Sequence, residues 1–143
     1  MNLEHYREVG FEQVAYMTKD SSLGKKKHNV YVNYLFDYDP RGKKGVYIIA
    51  KADDVLKIGE TEDLKDRFSC YESHSGATNV RIREAMEEIL NYSIYFIECP
   101  SYKVGFAGVQ VDQGIRYKDL EKQLLRQYKE TNGNVPIWNK GIQ

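Results

Sequence analysis

The sequence predicts an α/β domain of the α+β type: a small, mainly antiparallel three-stranded sheet flanked by helices, with an added N-terminal β-hairpin. Two apolar runs of strand length, Val46 to Ala50 and Val55 to Ile58, flank a short polar link, and a helical pattern follows directly. A third apolar run, YSIYFIE, comes after a second helical pattern. A chain of 143 residues buries roughly two thirds of its unfolded surface, so a single domain needs no disulfide or metal to fold.

Residues 1–42 are expected to be an extension of the core, because about 40 residues rarely fold alone. Leu3 to Val9 has the pattern of a short helix, and strands are expected at Phe11 to Met17 and at Val30 to Phe36. The segment SSLGKKKH links these strands into a hairpin, and Pro40 with Gly42 breaks the pattern before the core begins.

The core hairpin brings two polar side chains together in its simplest register. If Ala50 pairs with Asp54 across a three-residue loop, Tyr47 stands directly opposite Lys57 on one face, about 5 Å away. A slip of one residue would separate them. Considered alone, a strand tyrosine is usually packed in the core, and a strand lysine usually faces solvent.

The helix after this hairpin directs further polar groups to the same surface. Thr61 is the expected N-cap, followed by acidic residues that suit the positive end of the helix dipole. The apolar face of the helix consists of Leu64, Phe68 and Tyr71. Arg67 lies at the edge of that face, one turn before Tyr71, so its guanidinium is expected to point along the sheet. A lysine, an arginine and two tyrosines on one small surface suit a phosphate.

A second helix is expected from Val80 to Leu90, followed by the third core strand, which Pro100 ends. The expected buried stripe of this helix is Ile82, Met86, Ile89 and Leu90, and the expected outward residues are Arg83, Glu87 and Glu88. The segment from Ser101 to Arg116 is rich in Gly and Val and is expected to be a loop with one strand.

The last helix, from Tyr117 to about Tyr128, carries a carboxylate on its apolar side. Its apolar arc consists of Tyr117, Leu120, Leu124, Leu125 and Tyr128, and Glu121 falls within that arc. An unpaired buried carboxylate would cost several kcal/mol, so Glu121 is expected to be protonated, paired with a basic residue or bound to a cation. Near the end of the chain, Asn139 after a tryptophan is by itself no more than a turn former.

Composition excludes several classes of protein. The formal net charge is zero, which argues against a protein that coats nucleic acid. Three local basic clusters, at residues 25–28, 41–44 and 81–83, are each expected to be solvated turns or helix faces. Cys70 and Cys99 lack the spacing of a zinc site, and reduced thiols fit a cytoplasmic protein. No apolar run approaches the roughly 20 residues of a membrane span.

The triplets GVY (Gly45 to Tyr47) and KIG (Lys57 to Gly59), followed by Arg67 and Tyr71, resemble the GIY-YIG nuclease superfamily. The resemblance covers a core at residues 44–141, with an insertion at about residues 100–116. Lys57 replaces the first tyrosine of the second triplet, as in some members that include restriction endonucleases. Glu60 is a second departure, in a region where several relatives carry a basic residue or a histidine.

This resemblance implies a metal-dependent DNA endonuclease that hydrolyses phosphodiester bonds in double-stranded DNA, with one Mg²⁺ or Mn²⁺ ion per site. The implied catalytic residues are Tyr47, Lys57, Arg67, Tyr71, Glu121 and Asn139. Glu121 is the implied metal ligand, on the side of the leaving group, and Asn139 steadies either the metal shell or the C-terminal segment.

The implied roles of the remaining residues follow their chemical types. Tyr47 activates water, and the Lys57 ammonium is expected to lower the pKa of that phenol. Lys57 can instead orient the water or contact the scissile phosphate. Arg67 binds the non-bridging phosphate oxygens, and Tyr71 either bonds the phosphate or supports Arg67.

The biological setting is left open between a restriction-type and a phage-type nuclease. A restriction enzyme that reads a palindrome would be a homodimer, and the insertion before the last helix would reach into a DNA groove. The N-terminal extension would serve DNA contact, dimerisation or edge protection. Two alternatives are a nucleic-acid-binding module with the same fold but no turnover, which Lys57 and Glu60 favour, and a protein-interaction domain.

Overall fold

The structure is a computed structural model that describes residues 2–139. The strands are β1 (Glu12–Lys19), β2 (Val30–Tyr34), β3 (Gly45–Lys51), β4 (Asp54–Thr61), β5 (Asn91–Glu98), β6 (Ser101–Phe106) and β7 (Val109–Gly114). The helices are α1 (Leu3–Glu8), α2 (Leu64–Ser73), α3 (Ala77–Ala85) and α4 (Tyr117–Asn132), and a 3₁₀ turn spans Ile137–Asn139. No helix within residues 2–139 is long and apolar enough to cross a membrane.

The main sheet has five strands in the order β2-β1-β5-β3-β4, and all of its pairings are antiparallel. The predicted α+β fold is confirmed: β5, β3 and β4 are the predicted three strands, and the N-terminal hairpin β1–β2 extends the sheet at β5. The hairpin's apolar residues, Val14, Ala15, Met17 and Val30, are buried in the same core as the central strands.

Helices cover both faces of the sheet. One core cluster lies on the face covered by α2 and α3 and contains Tyr47, Ile49, Leu64, Phe68, Tyr71, Ile82 and Trp138. The other lies on the face covered by α1 and α4 and contains Leu3, Tyr6, Val46, Ile48, Ile58 and Leu124. Because side chains alternate between faces along a strand, β3 supplies Tyr47 to one cluster and Ile48 to the other.

The register of the β3–β4 hairpin differs from the predicted one. Lys51 pairs with Asp54, and a bulge displaces the ladder so that Ile49 lies opposite Lys57. Tyr47 therefore lies opposite Gly59, and the prediction that Tyr47 faces Lys57 directly is wrong. The displacement is two residues, which keeps Lys57 on the same face of the sheet as Tyr47. The cause is a shorter turn with one extra residue in β4.

The predicted N-cap and strand ends need correction. Asp63, not Thr61, caps α2, accepting a hydrogen bond from the Asp66 amide at 3.3 Å. Thr61 ends β4, and its hydroxyl bonds the backbone of Asp63. Strand β2 ends at Tyr34, and Phe36, which was expected to be in the strand, is 95% exposed.

Helix α3 begins and ends earlier than predicted. Its C-cap, Met86, has extended backbone, and the chain then leaves the helix to meet the end of β1 through the hydrogen bond from Ile89 N to Lys19 O. Ile89 is consequently exposed instead of buried. Arg83, expected to face solvent, is buried because its guanidinium donates to the carbonyl of Tyr71 at 3.0 Å and so caps the end of α2.

The segment after β5 contains two strands where one was expected. Strands β6 and β7 form a separate two-stranded sheet, joined at Ala107 and Gly108, which both have positive φ. Positive φ at both residues is typical of two-residue turns, whose twist matches the twist of the two strands that they join. Every residue of both strands is exposed. This β6–β7 hairpin therefore projects from the main sheet.

Candidate active site

Two tyrosine hydroxyls and one guanidinium form a hydrogen-bonded cluster beneath α2. Tyr47 Oη lies 2.8 Å from Tyr71 Oη. Arg67 Nε donates to Tyr47 Oη at 3.1 Å, and Arg67 Nη2 donates to Tyr71 Oη at 3.0 Å. Both tyrosines are fully buried, whereas Arg67 is half-buried. The cluster thus presents an oriented guanidinium at the surface of a buried phenol pair.

Helix α2 positions this cluster through its own periodicity. Arg67 and Tyr71 are one turn apart, and the guanidinium lies 4.3 Å from the centre of the Tyr71 ring. Phe68 packs edge-on against the Tyr47 ring at a centroid distance of 5.0 Å, which joins the helix to β3. The arrangement predicted for the Arg67 side chain, along the sheet and next to Tyr47, agrees with these contacts.

Burial controls the protonation of the cluster. It raises the pKa of Tyr47, and Arg67 opposes that shift only in part. The pKa of Tyr71 is raised well above its usual value for the same reason. Burial disfavours the charge on Arg67, but the two phenol oxygens raise its pKa overall. The expectation that Lys57 lowers the pKa of Tyr47 is wrong, because the register moves Lys57 away and burial dominates.

Lys57 is a buried ammonium at the edge of this cluster, with only 3% of its surface exposed. Burial, followed by the nearby charges of Arg67 and Arg81, lowers its pKa to about 8, and Glu121 partly opposes the shift. Its Nζ atom has no hydrogen-bond or ion-pair partner within residues 2–139, and it reaches solvent, since no fully buried side-chain nitrogen or oxygen in this part of the chain lacks a partner. The lowered pKa makes the neutral amine accessible at mildly alkaline pH.

Glu121 approaches Lys57 from the opposite face of the sheet. Helix α4 packs against β3 and β4, and Glu121 is half-buried on its inner side. Burial and then the Glu60 carboxylate raise the pKa of Glu121, while Lys57 and the Glu60 backbone amide oppose the increase. Glu121 is thus a carboxylate with a second carboxylate and an ammonium as its neighbours.

These carboxylates are the hard oxygen donors that Mg²⁺ and Mn²⁺ prefer. Magnesium sites in phosphoryl-transfer enzymes use one or two carboxylates and complete the shell with water and substrate. Glu121 and Glu60 are two carboxylates of this kind, and within residues 2–139 no group of three or more His, Cys, Asp or Glu side chains is placed to hold a metal ion.

Asn139 fixes the C-terminal segment to the open edge of the sheet. Its side-chain Oδ1 accepts from Ile58 N at 2.9 Å, and its Nδ2 donates to Ile58 O at 2.8 Å. Strand β4 is the last strand of the sheet, so this amide takes the place of a neighbouring strand. Because both amide atoms are engaged with Ile58, Asn139 is positioned to hold the segment in place and to support Lys57 through the adjacent backbone.

Helix α3 supplies two contacts that the sequence pattern did not reveal. Asn79, which is buried, accepts from Arg67 Nη1 at 3.2 Å. Arg81 Nη2 donates to the carbonyl of Trp138 at 2.6 Å and is near enough to lower the pKa of Lys57. The expectation that the cluster at residues 81–83 is a solvated helix face is therefore wrong. The sequence shows that Arg81 and Arg83 are two positions apart. The partner of Arg83 lies 12 positions away along the chain and the partner of Arg81 lies 57 positions away, so the sequence pattern does not reveal them.

The other two basic clusters form ion pairs at the surface. Lys26 bonds Glu72 at the end of α2, Arg41 bonds Asp39 two positions before it, and Lys43 pairs with Glu98. These pairs agree with the expectation of solvated turns.

Comparisons with known proteins extend this description of the fold. No protein-family model and no curated protein matches the sequence. The solved structures that are similar include the following two. A restriction endonuclease, HPY188I, in complex with product DNA has a TM-score of 0.58 and 13% identity, covering 96% of this chain and 84% of that chain. A mutant of bacteriophage T4 EndoII has a TM-score of 0.64 and 21% identity, covering 95% of each chain. The protein therefore shares the fold of these two structures over almost its whole length.

Proposed function

We propose that this protein is a metal-dependent endonuclease of the GIY-YIG type, which hydrolyses phosphodiester bonds in double-stranded DNA in the cytoplasm. The observation that carries the proposal is the convergence of Arg67, Tyr47 and Tyr71 in one hydrogen-bonded cluster, with Lys57 and Glu121 beside it. The fold shared with two nucleases supports it, one of them solved with product DNA.

Arg67 binds the scissile phosphate in this proposal. Three side chains hold its guanidinium, through Nε, Nη1 and Nη2, so the group is oriented before substrate arrives. A guanidinium with a raised pKa remains charged at every relevant pH. Charge develops on the non-bridging oxygens as the water attacks phosphorus, and a fixed positive group stabilises it without reorganisation.

Lys57 is the proposed base for the attacking water. Burial and then the charge of Arg67 lower its pKa to about 8, so its neutral amine is available at mildly alkaline pH. Lys57 takes a proton from the water, the new P–O bond forms, the bond to the leaving oxygen breaks, and that oxygen takes a proton from solvent.

Tyr47 holds the attacking water in this scheme. Its hydroxyl already bonds Tyr71 and Arg67, and burial raises its pKa, so the phenolate is scarce at neutral pH. Tyr71 supports both groups from beneath.

Glu121, with Glu60 beside it, would hold the divalent cation. A bound Mg²⁺ or Mn²⁺ would supply charge stabilisation for the leaving oxygen. A cation at Glu121 would also remove the repulsion between the two carboxylates, which accounts for acidic residues next to each other at a half-buried position.

The test is cleavage of a mixed duplex DNA substrate with Mg²⁺ and with EDTA, by the native chain and by Tyr47→Phe and Arg67→Ala. Discrete fragments that need metal, and that both substitutions reduce by at least about 100-fold, are expected. Arg41→Ala is the matched control, since within residues 2–139 the ion-pair partner of Arg41 is Asp39, on the surface. Cutting that is unaffected by Arg67→Ala would refute this assignment of the site.

A binding module without turnover is the second candidate. The carboxylate of Glu60 favours it, because Glu60 stands in a region where the resemblance implies a basic residue or a histidine, and it raises the pKa of Glu121. Retarded migration of DNA in a gel, with no cleavage in Mg²⁺ or Mn²⁺ between pH 7 and about pH 9, would establish that alternative.

A further inference from the structure

The β6–β7 hairpin has one apolar face and one polar face. Strand pairing places Tyr102 opposite Gln113, Val104 opposite Val111 and Phe106 opposite Val109, all on the same side. The other side carries Lys103 paired with Asp112, and Gly105 opposite Gln110. The apolar side contains two aromatic residues and three valines but no charged group.

No part of residues 2–139 covers this apolar face. Phe106 is 74% exposed, Tyr102 and Val109 are each 60% exposed, and the two central valines are also exposed. An isolated two-stranded hairpin is marginally stable in water, and a contiguous exposed apolar patch of this kind marks an interaction surface. The hairpin therefore needs a partner surface that is apolar and of similar length.

We propose that this face binds the same face of a second copy of the chain, so that the protein is a homodimer joined through its β6–β7 hairpins. The inference does not depend on the proposed enzymatic activity. It concerns a surface that shares no residue with the candidate active site.

The shape of the face suits self-association around a two-fold axis. When two such hairpins pack face to face and antiparallel, Val104 and Val111 of both copies meet at the axis. Phe106 at the tip of one hairpin then covers Tyr102 at the base of the other. The aromatic side chains thus meet at both ends of the interface, with the valines between them.

The exposed area of the apolar face, summed over two copies, reaches the lower limit for a stable protein–protein interface. With aromatic side chains burying about 150–250 Å² each and valines less, the exposed fractions correspond to roughly 1,000 Å² over two copies. An interface of this size is at the weak end of specific interfaces, so its association is expected to depend on protein concentration.

Charge argues against DNA as the occupant. The only charged residues of the two strands, Lys103 and Asp112, neutralise each other at 2.7 Å on the opposite face. A hairpin that tracks phosphates needs unpaired positive charge. The proposal therefore gives the hairpin a protein contact in place of the DNA-groove contact expected from the sequence.

The test is sedimentation velocity of the full chain over a range of micromolar concentrations, for three proteins. The native chain is expected to show a concentration-dependent dimer. Val111→Lys places a charge at the axis and is expected to weaken association by at least 100-fold. Gln110→Lys adds the same charge one residue away on the polar face, and is expected to dimerise like the native chain.

Thermal unfolding of all three proteins separates association from folding. The hairpin projects from the main sheet, so both variants are expected to unfold at the temperature of the native monomer. A native chain that stays monomeric at all concentrations, or a Val111→Lys variant that dimerises as the native chain does, would overturn the proposal. Protection of a Phe106→Trp fluorophore by duplex DNA, in a monomeric protein, would overturn it in favour of DNA.

Discussion

Tyr47 lies directly over Gly59, the residue opposite it on β4, so closely that a Cβ atom at Gly59 would be 2.4 Å from the tyrosine ring. The glycine is therefore required by the position of the phenol. Because the ring is fixed between Gly59, Phe68 and Arg67, the hydroxyl is held where it meets Tyr71. Adding a side chain at Gly59 tests whether this close contact fixes the Tyr47 hydroxyl.

Gly59→Ala is expected to displace the Tyr47 ring and to cost about 2–3 kcal/mol of unfolding free energy, the usual penalty for overpacking. The proposed cleavage activity is expected to fall with it, since Arg67 loses its Nε partner. Denaturant unfolding and a cleavage assay measure the two effects. The control is Gly105→Ala in β6, where the nearest atom to a new Cβ is 3.8 Å away. Equal stability of the two variants would contradict the account.

Lys57→Met is expected to stabilise the fold and to abolish cleavage. The pKa of Lys57 falls from 10.5 in an unfolded chain to about 8 in the folded one, a shift that costs about 3 kcal/mol below pH 8. Between pH 8 and 10.5 the unfolded chain binds more protons, so native stability rises with pH in that window and the advantage of Lys57→Met shrinks. Unfolding by denaturant at pH 7 and at pH 10 tests the sign.

Lys118→Met, on the exposed side of α4, is the control for the loss of a lysine. It is expected to leave stability within about 0.5 kcal/mol at both pH values. A Lys57→Met variant that is less stable than the native chain at pH 7 would show that the ammonium has a favourable partner.

The two strands of the core hairpin, α2 and the Glu121 helix could be predicted because each has a clear apolar periodicity. Their relative placement could not. A shorter turn and one extra residue in β4 together moved Lys57 by two positions, and nothing in the apolar pattern distinguishes a bulged ladder from a regular one. Tyr47 and Lys57 lie on the same face of the sheet, as expected, but they do not pair directly.

The periodicity of apolar residues does not predict contacts between residues that are distant in sequence. Arg83 has the spacing of a solvent-facing helix residue, yet it caps the carbonyls of α2. Asn79 looks like any polar residue of a first turn, yet it holds Arg67. Such partners depend on how two helices pack, and helical periodicity within one segment carries no information on that.

Asn79 is expected to act as a positioning residue for Arg67. Asn79→Ala removes the acceptor of Nη1 and is expected to lower kcat by about 10-fold with little change in KM, because the guanidinium loses orientation more than charge. Asn79→Asp retains an acceptor and is expected to recover most of the rate. Thr78→Ala, one position earlier, is the control. A rate for Asn79→Asp as low as that of Asn79→Ala would indicate a structural role only.

Asn139→Ala is expected to free the C-terminal segment from β4. Loss of both hydrogen bonds to Ile58 at a buried edge is expected to cost about 2 kcal/mol and to accelerate hydrogen exchange at the Ile58 amide. Asn134→Ala serves as control, since its side chain bonds only the amide of the next residue. Unchanged exchange at Ile58 in the Asn139→Ala variant would rule out the edge-covering role.

The most direct measurement for the proposed site is the single-turnover rate of duplex DNA cleavage as Mg²⁺ is titrated, for the native chain, Glu121→Gln and Glu130→Gln. Glu121 lies half-buried beside Lys57, whereas Glu130 is exposed on the same helix. The proposed metal-binding role of Glu121 predicts metal-dependent cleavage by the native chain and Glu130→Gln, and a loss of at least about 100-fold in Glu121→Gln. Cleavage by Glu121→Gln with the native Mg²⁺ dependence would contradict it.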